Sequence, residues 1–190
     1  MKQDRKDSAR VGRAILLLLA GTLVPLAGSA LSSLLAPAAI GAVSLAGYLL
    51  TIAGSALLLP DSRWFAVSIM CAMFGVVADG LPLLYDGVSG MMLYVLTALA
   101  MALCYAAVYG GVDGLLAMAG ASAGERRLGL WWIACFAAGE TLMFVCLYVL
   151  PRMPSSVMAQ MLGTVAAFAC TVCALIYQVR YLLMARRRLG

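Results

Sequence analysis

The sequence predicts an all-α protein: a polytopic membrane helix bundle of six transmembrane helices with both termini in the cytoplasm. Three observations lead there. The 190 residues are 65% hydrophobic and only 11% charged, whereas a soluble domain carries about 25% charged residues. Long apolar runs recur along the chain, separated by short segments rich in Pro, Gly and charge. Twelve of the thirteen Lys and Arg residues also fall on alternate connections, as the positive-inside rule requires of cytoplasmic segments.

The elements follow in order. Met1–Arg13 carries Lys2, Arg5, Lys6, Arg10 and Arg13, and the first span is expected at 14–35. This pattern resembles a signal peptide, with Gly28-Ser29-Ala30 as a small-residue cleavage site, but it is read as an uncleaved span kinked by Pro25, which membranes tolerate. Pro37 suits a helix first turn, so a second span is placed at 37–59, ended by Pro60. The third runs 64–84. Asp79–Gly90 (DGLPLLYDGVSG) is turn-rich and reads as a loop with a ragged helix end. The fourth covers 91–112 and can continue to Ala119, or Gly110-Gly111 breaks it and leaves a short interfacial piece. Ala121–Leu128 is a polar connector, the fifth span is 129–150 before Pro151 and Pro154, and the sixth is 155–181. No stretch remains for a soluble domain, so residues 1–190 form one integral membrane domain.

Orientation comes from counting. The N-terminal tail, Arg63, Arg126, Arg127, Arg180 and Arg186–Arg188 share one side, and Arg152 alone lies on the other. The larger set is placed in the cytoplasm, in a cell (plasma) membrane. Trp64, Trp131 and Trp132 all fall at cytoplasmic helix ends, where an interfacial belt belongs.

A carboxylate within a span is costly and marks a functional candidate. Glu140 lies mid-way along the fifth span, on a face with Phe136, Phe144 and Tyr148 at helical spacing. The fourth span carries a matching stripe, Met101, Tyr105, Tyr109 and Asp113, and Tyr105 is expected to meet Glu140 across antiparallel helices. Asp79 and Asp86 form an acidic outer mouth that would attract cations or amines. The substrate-binding candidates are therefore Glu140, Tyr105, Tyr109, Phe144 and Asp79. Each also has a structural explanation, as polar glue between helices or as an ordinary interfacial residue.

Small residues repeat every fourth position at Ala98, Ala102, Ala106, Gly110 and Gly114, and again at Ala159, Gly163, Ala167 and Thr171. Such ridges let helices approach closely, or dock a partner membrane protein. The six cysteines all lie in apolar segments and read as small hydrophobes, including the C-x-x-C of Cys170 and Cys173.

There is no histidine, no phosphate-binding loop and no nucleophile motif. Enzymatic activity, a metal site, a cofactor and nucleic-acid binding are accordingly not expected. The lipid bilayer is the obvious partner. The function expected is a transport protein, or the substrate-binding membrane subunit of a larger transporter, for a small solute or cation. The alternative is a non-catalytic structural or regulatory subunit that packs against another membrane protein.

Overall fold

The computed structural model describes residues 2–30, 37–84, 89–153 and 157–190. Asp86 and Pro154, and the segments 31–36 and 154–156 at which two spans were expected to end or begin, lie outside the described residues. The described chain is helical throughout, with no strand: α1 (Lys2–Ala30), α2 (Pro37–Leu58), α3 (Trp64–Leu84), α4 (Gly90–Met118), α5 (Ala123–Phe144) and α6 (Val157–Leu189). After α5 the chain widens into one π turn, Val145–Val149, and tightens into a 3-10 turn, Leu150–Arg152. Pro151 supplies the cause, because it has no N–H to donate and its ring crowds the preceding turn.

Four segments are long and apolar enough to cross a membrane: Ser8–Pro25, Gly90–Met118, Ala123–Arg152 and Val157–Leu189. Large apolar side chains cover their outer faces. On α6, Met158, Met161, Leu162, Val165 and Phe168 are all exposed, and on α3 so are Val67, Met70, Phe74 and Val77. Water would not tolerate such faces, whereas hydrocarbon does. The protein is an α-helical membrane bundle.

Two compact units make up the chain, residues 1–122 with 182–190, and residues 123–181. In the first unit α1 packs on α2, α2 on α3, and α3 on α4. The α1–α2 seam is built backbone to backbone. Ala14, Leu18, Gly21 and Pro25 on α1 face Gly47, Thr51 and Gly54 on α2. A Cβ on Gly47 would stand 2.8 Å from the Gly21 carbonyl oxygen, and one on Gly54 would stand 2.9 Å from that of Ala14. Both sets repeat with alternating steps of four and three, the spacing of a left-handed helix pair.

At the end of this seam Arg10 caps α2. Its guanidinium donates to the Leu57 carbonyl at 2.9 Å and pairs with both Asp61 carboxylate oxygens at 2.9 and 3.0 Å. A cation there also complements the negative end of the α2 dipole. Both side chains are partly solvated, so the pair is worth about 1 kcal/mol. A double-mutant cycle with Arg10→Ala and Asp61→Ala, read by unfolding in detergent, is expected to give a coupling of that size. Additive single effects would show that the pair contributes nothing.

The α3–α4 seam depends on aromatic rings. Phe65 is fully buried, and a Cβ on Gly111 would lie 2.6 Å from its ring. Trp64 lies similarly against Gly110 at 3.2 Å. The two glycines therefore do not break α4, which runs without interruption to Met118. They are docking sites for the rings of α3. Helix α4 opens with Ser89 accepting from the Met92 N–H, and closes at Gly120 with φ +74°. There the Ala121 N–H reaches the Leu116 carbonyl at 2.9 Å, a Schellman closure.

Other boundaries also differ from the sequence reading. Asp79–Leu84 is helical rather than loop, because α3 continues through it. The polar connector joins α5 from Ala123 onward, with Glu125 in the first turn favoured by the helix dipole. Helix α1 begins at Lys2, and α6 runs on through Arg186–Arg188.

The residues buried on α4 are Ala100, Cys104, Ala107, Val108, Gly111, Val112 and Leu116. The row from Ala100 to Leu116 lies about half a helical turn from the ridge of Ala98 to Gly114, with Ala107 and Gly111 between the two. That ridge leaves Ala106 and Gly114 exposed.

In the second unit the small-residue face of α6 does pack on α5. Gly139 sits over Ala167, Cys170 and Thr171, and Gly163 lies directly against the Cys146 thiol. Trp131 stacks on Tyr177 and Trp132 meets Tyr181, with centroids 6.4 and 6.3 Å apart. Trp132 is 1% exposed. Adjacent helix positions point about 100° apart, so of this pair only Trp131 is left, beside the exposed Trp64, to serve an interfacial belt.

Residues 182–190 return to the first unit. There the Ser8 hydroxyl bonds to the Gly190 carbonyl, and Gly12 lies beside Gly190.

Candidate functional site

A cavity of about 180 Å³ lies within the first unit, walled by α1, α2, α3 and α4. Its formation starts at Pro25. With no N–H, Pro25 leaves the Gly21 carbonyl without its helical donor, and that oxygen lies against Gly47. Gly21, Pro25 and Gly47 form one wall of the cavity.

The opposite wall rests on Gly75. A Cβ there would stand 2.7 Å from Cζ and 2.9 Å from the hydroxyl of Tyr48. Because Gly75 lacks one, the Tyr48 ring lies close against α3. Its hydroxyl then becomes a hydrogen-bond partner of the Asp79 carboxylate, one turn further along. Asp79 is exposed, about 8 Å from the described end of α3 by helical rise.

Helix α4 contributes Thr97, Met101, Cys104 and Tyr105, and α2 adds Ser44 and Thr51. Two of these hydroxyls are already committed as donors. Thr51 donates to the Gly47 carbonyl at 3.0 Å, and Thr97 to those of Leu93 and Tyr94 at 3.0 and 3.1 Å. Cys104 donates away from the cavity, to the Ser68 carbonyl at 3.6 Å. Behind it, Ser68 and Ser55 are fully buried and bonded to each other at 3.0 Å. A polar track thus continues from the cavity into the core of the unit.

Of the five residues singled out from sequence, Asp79 and Tyr105 line this cavity. Tyr109 sits one turn beyond its lining, half-buried on α4. Glu140 and Phe144 belong to α5 in the second unit. Glu140 is half-buried next to Gly139, and the Phe144 ring packs on Tyr148 with centroids 5.5 Å apart. Tyr105 and Glu140 fall in different units, and the contact expected between them belongs to neither.

Sequence reasoning did not find Tyr48, Thr51, Thr97 or Gly75. A signal was present for the first. Tyr48 is the lone tyrosine of α2 and follows Gly47, which shares a heptad face with Gly54.

Gly75→Ala is expected to push the Tyr48 ring off α3 and separate its hydroxyl from Asp79, with the helices otherwise intact. The near-ultraviolet tyrosine signal should change in this variant and match that of Tyr48→Phe more closely than wild type. An unchanged spectrum would contradict the placement.

Comparison with protein family models, with curated proteins and with solved structures finds no match.

Proposed function

We propose that the protein is a membrane transport protein, or the substrate-binding membrane subunit of a larger transporter, that takes a small solute or cation in the cavity of its first unit. One observation carries the reading: a carboxylate, Asp79, reaches a cavity lined by oxygen-bearing side chains within an otherwise apolar bundle. A carboxylate among spans persists where water or a ligand meets it, and a mostly apolar cavity with a few convergent polar groups between helices is where bundle proteins hold ligands.

The proposed topology is six spans with both ends in the cytoplasm of a plasma-membrane protein. Helices α2 and α3, at 22 and 21 residues, are about 33 and 32 Å long, enough for a hydrocarbon core of about 30 Å. The Ser8–Gly190 hydrogen bond supports an even number of crossings, since it joins the two ends of the chain. In this orientation Pro25, Ser44, Asp79 and Thr97 lie in the outer halves of their helices, Tyr48, Cys104 and Tyr105 lie near the middle and Thr51 further in, with the Arg10–Asp61 pair at the inner surface.

The test is a thermal-shift screen of purified protein against amines, metal ions, vitamins and other small solutes, run beside Asp79→Asn and Glu140→Gln. Stabilisation that is lost in Asp79→Asn and kept in Glu140→Gln is expected. Loss in Glu140→Gln alone would move the site to the second unit, and stabilisation by nothing would reject solute binding.

A further inference from the structure

Resting on that reading, we infer that the ligand of the cavity is a short primary alkylammonium, bound with its charge on Asp79. The side chains lining the cavity include one carboxylate and no Lys or Arg, so an anion meets only repulsion.

The hydroxyls narrow the class further. The protons of Thr51 and Thr97 are spent on carbonyls of their own helices, and the Cys104 proton goes to Ser68. What these groups offer the cavity is lone pairs. Ser44 has a hydroxyl that can turn to suit. A wall of acceptors around a negative charge fits a cation that brings several N–H donors, and an ammonium brings three.

A metal ion fits less well. Calcium takes six to eight oxygen ligands with several carboxylates, and transition metals use imidazole or thiolate. No cluster of three or more His, Cys, Asp or Glu side chains able to hold a metal ion occurs among the described residues.

The rest of the lining is apolar. Pro25, Met101 and the rings of Tyr48 and Tyr105 would take a hydrocarbon tail, and the rings also attract a cation through their faces. The volume keeps that tail short. At about 180 Å³ the cavity falls below the roughly 300–1,000 Å³ of drug-sized pockets. Tyr48 already occupies Asp79 with its hydroxyl, so the entering ammonium competes with that bond and Tyr48→Phe should not weaken binding.

The experiment is isothermal titration calorimetry of the full chain in nanodiscs with n-butylammonium, 1-butanol, butyrate and sodium. Butylammonium is expected to bind, with at least tenfold weaker affinity in Asp79→Asn and several-fold weaker in Thr97→Val; the other three probes should give no heat. Asp79→Asn is nearly isosteric, and Thr97→Val provides a second variant should the first fail to fold. Equal binding of 1-butanol and butylammonium, or of butylammonium by wild type and Asp79→Asn, would overturn the amine assignment and leave a solute cavity standing. Failure of butylammonium to bind overturns the assignment as well. The broader reading falls only if the thermal-shift screen also finds no stabilisation that depends on Asp79.

Discussion

Gly47→Val is expected to be the most damaging single substitution in the first unit, lowering stability by about 3 kcal/mol. The site has no slack, because a Cβ would fall 2.8 Å from both the Gly21 carbonyl oxygen and Pro25 Cδ. One obstacle is backbone and the other a closed ring, so neither can swing aside. The helices must separate, and close packing is what holds helices together in lipid, where burial of apolar surface gives no drive. Gly114→Ala is the matched control, since nothing lies within 4 Å of its added methyl. Unfolding of both variants in detergent should put Gly47→Val far below wild type and Gly114→Ala level with it. Comparable effects would mean that the α1–α2 seam is not built on close approach.

Phe65→Ala should follow closely, at about 3 kcal/mol. The ring is fully buried and fills the space that Gly111 leaves on α4. Its removal opens a void between two backbones that cannot close without moving α3 against α4. The substitution reaches the cavity as well, because α4 carries Thr97, Met101, Cys104 and Tyr105 into it. Phe65→Leu keeps most of the volume and should recover more than half of the loss. If Phe65→Ala unfolds like wild type, the ring is not what joins α3 to α4.

These two sites mark where the sequence was readable and where it was not. The apolar runs and the arginine-bearing turns announced a membrane bundle, because the period and solvent of each helix depend on local composition alone. Four spans meet the length and hydropathy of a crossing helix, and the proposal of six adds α2 and α3. The packing faces were harder to read. Ala98 to Gly114 is the longer small-residue repeat, yet of that row only Gly110 docks a ring of α3, and the fully buried Phe65 takes Gly111 beside it. Gly47 and Gly54 carried the real seam of α2 with only two members. A ridge shows what can approach, and the partner's bulk decides what does.

The site was legible in the same partial way. Asp79 and Tyr105 stood out by chemistry, as an acid at a span end and a tyrosine in a stripe. Their meeting in one cavity depends on Tyr48 lying against Gly75, a tertiary fact with no signature in a single helix. Glu140 drew more weight from sequence because it lies deeper in its span. Four converging helices, rather than depth within a span, place Asp79 on the lining of a cavity with five hydroxyl-bearing side chains.

The proposal's central claim is a solute cavity that opens toward the outer side of a membrane bundle, and cysteine accessibility tests it most directly. In a chain with its six native cysteines replaced, Thr97→Cys and Ser68→Cys are introduced one at a time and exposed in intact cells to a membrane-impermeant maleimide. Thr97→Cys should label from outside the cell, while Ser68→Cys, fully buried beyond the cavity, should stay unlabelled. Labelling of Thr97→Cys only after the cells are opened, or from neither side, would contradict the account.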